Sequence, residues 1–347
     1  MFRMKFTCIF LVFILISCGE GLIDEPTSDP IITSISPNEI YLGDTIIIEG
    51  SGFGVKSQSS VLVFISDSDS LLISSNEAIL WSPNLIKFKL DFKANYSEIW
   101  VNLENKVVAK METTILPYPE IETVDISSGT FTQGNESGFL DERNVRQVEI
   151  SRDFKVAKTE LTQSTWNLIR TYNNSLIKND NLPITNISWN EAILFCNSIS
   201  KLYGLDTCYS YEGENVYFDY DANGWRLPTE SEWEYIAFLA NIDEVSIDNY
   251  AWYNDNSGYN AQLVSTKIKD QIGLSDLYGN AWEWCWDNYA VDYNLNEVID
   301  PVGPNSGQRR VKRGGAFNLG KIYCRKSNRS IPTNNINSTG FRLVRNL

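Results

Sequence analysis

The chain contains no histidine. That absence removes Ser-His-Asp and Cys-His catalysis, in which an imidazole moves the proton. It also removes His-ligated zinc and the iron site built from two histidines and a carboxylate. Positive charge is scarce as well: 29 Lys and Arg stand against 44 Asp and Glu, for a formal net charge of −15 and a pI near 4.6. An acidic chain of this kind lacks the basic footprint that nucleic acid requires, so nucleic acid is excluded as a partner. The one basic cluster, Arg309, Arg310, Lys312 and Arg313, alternates in the manner of a strand and reads as structural. Long hydrophobic runs are missing too. The apolar run Phe6–Ile16 falls well short of the ~20 residues of a spanning helix.

What is present is ample material for two or three domains: 347 residues, 43% hydrophobic and 12% aromatic. Arg3 and Lys5 precede the short apolar run, the charge-then-apolar form of a secretory signal over residues 1–17. The run ends in Leu15-Ile16-Ser17-Cys18, which resembles a bacterial lipobox. The resemblance implies cleavage before Cys18, acylation of that cysteine, and a membrane partner reached through the lipid without a span. The expected location is the cell envelope, on the outer membrane. Residues 18–29 read as a flexible tether.

Residues 30–117 carry short β-branched runs separated by turn residues, at Ile31–Ile35, Thr45–Glu49, Val61–Ile65, Leu85–Leu90, Ile99–Leu103 and Val107–Ile115. About seven short strands predict an all-β, immunoglobulin-like sandwich. The opening PIITSISPNEIYLGDTIIIEGSGFG resembles the TIG (IPT) module. Gly50, Gly52 and Gly54 follow a strand but precede another strand, so they read as a sandwich turn and not a phosphate loop. The prolines of Leu116-Pro-Tyr-Pro119 stiffen a linker at residues 118–120.

In residues 121–347, Ile121–Gly134 and Val145–Val156 read as strands, and a helix is expected near Thr162. Ser188 with Glu191, and Thr229 with Glu232, are capping boxes that open two further helices; Gly204 stops the first of these. Glu191 and Glu232 therefore read as caps before acid–base catalysts. The densest stretch is Gly273–Asp287, GLSDLYGNAWEWCWD. Its tryptophans, Trp282, Trp284 and Trp286, alternate as in a buried strand, yet Asp276, Asn280 and Glu283 lie among them. Buried carboxylates need a counter-charge or a metal. From the residues alone, a calcium turn and a hydrogen-bonded turn both stand.

That stretch, with SWNEA at Ser188–Ala192, RLPTESEWEYIA at Arg226–Ala237, RGGAF at Arg313–Phe317 and GFRL at Gly340–Leu343, resembles the formylglycine-generating enzyme (sulfatase-modifying factor) family over about residues 121–347. The resemblance implies an α+β fold with features of C-type lectins, the second part of a multi-domain chain. It implies calcium at the Asp276 and Glu283 side chains and the Gly279 and Ala281 carbonyls. It also implies copper held by two cysteines, which oxidises a substrate cysteine to formylglycine. Here Cys324 holds the second copper position, Leu319 the first, and Ala316 replaces the serine beside the oxygen site. Two thiolates suit Cu(I), and leucine offers no donor. Trp282 matches an aromatic beside the family's active site.

Export permits disulfides, and the candidates are Cys196 with Cys208 and Cys285 with Cys324. Three functions follow: a binding or structural envelope lipoprotein whose partner is an envelope protein or polysaccharide; a formylglycine-generating or related oxidase with an altered site; and a carbohydrate-binding module. The third is motivated by eight tryptophans, Trp166, Trp189, Trp225, Trp233, Trp252, Trp282, Trp284 and Trp286. Exposed rings would favour it and buried rings count against it.

Overall fold

A computed structural model describes residues 30–36, 45–57, 59–65, 70–89, 98–103, 106–112, 121–213, 215–243, 245–293, 296, 298–330 and 336–347. The chain divides into two units, Met1–Pro117 and Tyr118–Leu347. The signal run, Cys18, the tether and the linker at residues 118–120 lie outside the described residues.

The first unit is two antiparallel sheets. One runs β1 (Ile31–Ser36), β2 (Thr45–Ser51), β6 (Leu85–Lys89), β5 (Leu80–Trp81). The other runs β4 (Ser70–Ser74), β3 (Val61–Ile65), β7 (Glu98–Leu103), β8 (Lys106–Glu112). Alternate side chains point inward, so Ile46 and Ile48, Leu62 and Phe64, Ile86 and Phe88, and Ile99 and Val101 make one core. β4 and β5 are absent from the sequence expectation. The first is a short serine-bounded run, and the second has only two residues. The glycine-rich stretch is a turn: Phe53 is buried, and its carbonyl accepts from Trp81 Nε1 at 3.1 Å.

The second unit contains β9 (Thr123–Ile126), β10 (Gly129–Gln133), β11 (Arg146–Ile150), β12 (Phe154–Ala157), α1 (Gln163–Asn167), α2 (Trp189–Leu202), β13 (Tyr209–Glu212), β14 (Asn215–Phe218), α3 (Glu230–Ala240), α4 (Asn254–Ser257), β15 (Trp282–Asn288), β16 (Arg310–Arg313), β17 (Thr339–Gly340) and β18 (Val344–Asn346). Its sheets are small: β18-β12-β9, β10-β11, β13-β14 and β16-β15-β17. The expected long strands Ile121–Gly134 and Val145–Val156 are each two strands. The first breaks at Ser127-Ser128, where Ser128 N donates to Asp153 Oδ1 at 2.7 Å; the second breaks at Ser151–Asp153, where Ser151 N donates to Asp300 Oδ1 at 2.8 Å. Both capping boxes form as read, at Ser188 with Glu191 and at Thr229 with Glu232.

A unit with so little regular structure needs other ties, and these are buried ion pairs. The first turns of α3 bury Glu230, Glu232 and Glu234, each against an arginine from a different part of the chain: Arg329, Arg226 and Arg313. Glu142 pairs with Arg325 and Glu283 with Arg342. Removing one partner of such a pair strands a charge at a cost of about 3–5 kcal/mol.

Candidate functional site

β15 is the centre of a three-stranded sheet, antiparallel to β16 and parallel to β17, and all seven of its residues are buried. Strand alternation sends Trp282, Trp284 and Trp286 to one face and Glu283, Cys285 and Asp287 to the other. The turn before it is tight. A Cβ on Gly279, which has φ +77°, would lie 2.2 Å from the Trp252 carbonyl oxygen, so only glycine fits.

On the carboxylate side lie Asp276 and Glu283, the two side chains expected to hold calcium. Glu283 accepts from Arg342 Nη2 at 2.8 Å and Nε at 2.9 Å, and its other oxygen accepts from Trp233 Nε1 at 2.7 Å. Its charge is answered inside the core. Asp276 accepts from Ser265 N at 2.6 Å through Oδ2, while the buried Oδ1 has no hydrogen-bond partner among the described residues. Burial pushes the Asp276 carboxyl up to about 6. Sequence reasoning missed Glu160. It is fully buried and accepts from Ala281 N and Asn280 Nδ2, each at 2.7 Å. Burial, then the charges of Asp276 and Glu283, drive the Glu160 carboxyl well above the usual range. Three carboxylates thus share the field of one guanidinium, Arg342, with Lys267 as a lesser cation near Asp276. No group of three acidic or cysteine side chains among the described residues is arranged to hold a metal. Of the side chains expected to hold calcium, Asp276 keeps a buried oxygen without a hydrogen-bond partner among the described residues, while both oxygens of Glu283 are engaged.

On the tryptophan side, β16 places Lys312 directly across from Trp284. Lys312 helps line a cavity of about 630 Å³ whose walls include Leu140, Trp282, Leu319 and Tyr323 and the polar side chains Asn318 and Ser338. The sequence matched Trp282 to an aromatic beside an active site, and it does line this cavity. Leu319 lines it as well.

Cys324 is 1% exposed, and burial pushes its thiol up to about 12. Gly315 packs against it so closely that an added Cβ would lie 2.9 Å from Sγ. A protonated thiol and a leucine do not make a copper site, so the residues present do not fit that metal. Cys285 shares an apolar core cluster with Cys324, and burial likewise holds it as a thiol. All four described cysteines are free and buried, so neither expected disulfide is formed. Cys208 instead points its thiol at the Gly224 carbonyl, 3.4 Å away, and Cys196 is packed inside α2.

The burial of the tryptophans counts against the carbohydrate expectation. Of the eight, Trp252 is half-buried and the rest are buried. A second cavity of about 1140 Å³ does border Trp189 and Trp286. There Arg310 lies 3.6 Å above the Trp189 ring and 4.9 Å from that of Trp286, over the surface on which a sugar would stack.

An immunoglobulin-like sandwich followed by an α+β unit of short sheets and buried Arg–Glu pairs is the architecture, and two families match it in order. The chain matches the IPT/TIG domain over residues 30–105 and the sulfatase-modifying factor enzyme 1-like domain over residues 109–347, and it belongs to the latter family. It is similar to the formylglycine-generating enzyme of Mus musculus, 27% identical over 192 residues that cover 48% of this chain and 45% of that protein. The chain thus spans less than half the length of that relative. It is also similar to the chaperone protein LppX of Paenibacillus barcinonensis, 28% identical over 233 residues, 56% of this chain and 78% of that one. Among solved structures it resembles Treponema denticola variable protein 1, with a TM-score of 0.59 and 29% identity over 65% of this chain and 95% of that one.

Proposed function

We propose that the second unit is a ligand-binding member of its family that has given up the copper oxidation of cysteine, and that Cys18 anchors the chain to the cell envelope by lipid. One observation carries the first part: Leu319 faces the cavity where the resemblance calls for a copper thiolate, and the remaining Cys324 is a buried thiol. The likeness to a relative named as a chaperone supports a binding role. Cu(I) titration of the reduced protein, followed by mass analysis of a CxPxR peptide under oxygen, tests it: no tight copper and no aldehyde are expected. An aldehyde product would return the chain to the oxidases. The anchor rests on the charged start, the short apolar run and LISC. Mass analysis of the mature N-terminus should find acylated Cys18; a free N-terminus at a later residue contradicts it.

A further inference from the structure

Lys312 is 2% exposed, and no carboxylate answers it. Among the described residues its Nζ has one hydrogen-bond partner, Thr339 Oγ1 at a long 3.4 Å, and otherwise lies 5.5 Å and 5.9 Å from the ring centroids of Trp284 and Trp282. The cavity's other charged side chains each have a hydrogen-bond partner. Asp141 Oδ2 accepts from the Tyr289 hydroxyl at 2.9 Å, and Arg329 is held by both oxygens of Glu230 at 2.6 Å and 2.9 Å. In contrast to the five arginines paired in the core, this ammonium is desolvated with no anion.

A second polar group in the same wall is also unanswered. Asn318 lines the cavity, and its buried Oδ1 has no hydrogen-bond partner among the described residues. Around these two groups the wall is apolar, with Leu140, Leu319 and Trp282, and the volume of about 630 Å³ is that of a small-molecule site. Beside the hydrogen-bonded Asp141 and Arg329, the cavity therefore offers one cation without an anion, one buried acceptor without a partner among the described residues, and an apolar body. A single buried ammonium flanked by indole faces suits a monoanion.

We propose that this cavity binds an N-acylated amino acid with a free carboxylate and an apolar side chain, the carboxylate meeting Lys312 and the amide N–H meeting Asn318. This is the chemistry of a peptide C-terminus and of a free N-acyl amino acid alike. The inference rests on the binding role proposed above and gives it a ligand class.

Isothermal titration of the full folded chain tests it with matched probes. N-acetyl-L-phenylalanine should bind, and N-acetyl-L-phenylalaninamide, which lacks the charge, should bind at least about tenfold more weakly. 3-Phenylpropionate, which lacks the N–H, should fall between them. Lys312→Met should bring acid and amide to within about twofold of each other, while Asn318→Ala should remove the advantage of the acyl amino acid over phenylpropionate. Leu319→Trp, which fills the cavity and leaves the charges alone, should abolish binding of all three; it serves as the second test should Lys312→Met fail to fold. A tetrapeptide ending in phenylalanine distinguishes the two sources: tighter binding than the single residue identifies a peptide C-terminus, and weaker binding identifies a free acyl amino acid. Equal binding of acid and amide to the unaltered protein overturns the proposal, as does no binding of the acid at about 10 mM, well above the millimolar range of the weakest specific ligands. Either failure leaves the copper and aldehyde result untouched, so the two readings fall separately.

Discussion

Lys312 and Trp284 face each other directly across the β15–β16 ladder, the ammonium 5.5 Å from the indole centroid. Strand alternation places their neighbours Arg313 and Glu283 on the opposite face. There each joins a buried ion pair, Arg313 with Glu234 and Glu283 with Arg342. One ladder thus separates a matched, structural set of charges from an unmatched cation at a cavity. Stability alone does not account for a buried lysine without an anion, because it opposes folding.

The first prediction follows from that cost. Burial lowers the Lys312 ammonium to about 8 from its ordinary 10.5. A base whose folded value is depressed contributes stability above the ordinary value and loses it as pH falls through the folded one. At pH 7 the charged lysine is therefore a liability on the order of 3 kcal/mol. Lys312→Met should raise the melting temperature by several degrees at pH 7 and have little effect near pH 10.5. A lower melting temperature at pH 7 would mean that the lysine has a structural partner.

Asp276 makes the second case. Its folded value of about 6 lies above the ordinary 3.8. For an acid raised in this way, stability is present below the ordinary value and lost as pH rises through the folded one. In calcium-free buffer at pH 7, Asp276→Asn should stabilise the protein by up to ~3 kcal/mol, and the pH dependence between 4 and 7 should flatten. Calcium that binds only the folded form should raise the melting temperature of the unaltered protein by mass action and leave the variant unmoved. Equal calcium responses from both would place the ion elsewhere.

The sequence made the local devices legible and the long-range ones illegible. Both capping boxes span four residues and depend on nothing else, so S-x-x-E and T-x-x-E sufficed. Cys324, Leu319 and Trp282 could be placed by resemblance because their blocks are contiguous. The partner of Glu283 could not: Arg342 is 59 residues away, and no spacing rule joins them. The resemblance implies calcium for the carboxylates of this glycine turn, and the guanidinium that pairs with Glu283 appears only in the fold. The cluster Arg309–Arg313 was read as alternating, which is right for β16, but alternation does not reveal that Arg313 meets a glutamate and Lys312 a cavity.

Ion-pair magnitudes give the third prediction. Arg342→Met leaves Glu160, Asp276 and Glu283 buried together without their guanidinium and should cost about 3–5 kcal/mol in denaturant unfolding. The pair Arg152–Asp221 is roughly half exposed or more on both sides, and Arg152→Met should cost no more than ~1 kcal/mol. Comparable losses would show that burial does not rank these pairs.

The fourth concerns the thiols. Cys196, Cys208, Cys285 and Cys324 should all take up iodoacetamide in denaturant without reductant and remain unlabelled in the folded protein, as read by mass. Denatured protein that resists labelling at two of them would establish a disulfide.

We propose that this member of the family binds at the cavity beside Trp282 and does not oxidise cysteine there. The most direct measurement is mass analysis of a CxPxR peptide incubated under oxygen with the reduced, Cu(I)-treated protein. Unmodified peptide and no tight one-to-one copper are expected, because Leu319 supplies no donor and Cys324 is a protonated, buried thiol. Conversion of the peptide cysteine to the aldehyde, with one copper bound, would contradict it.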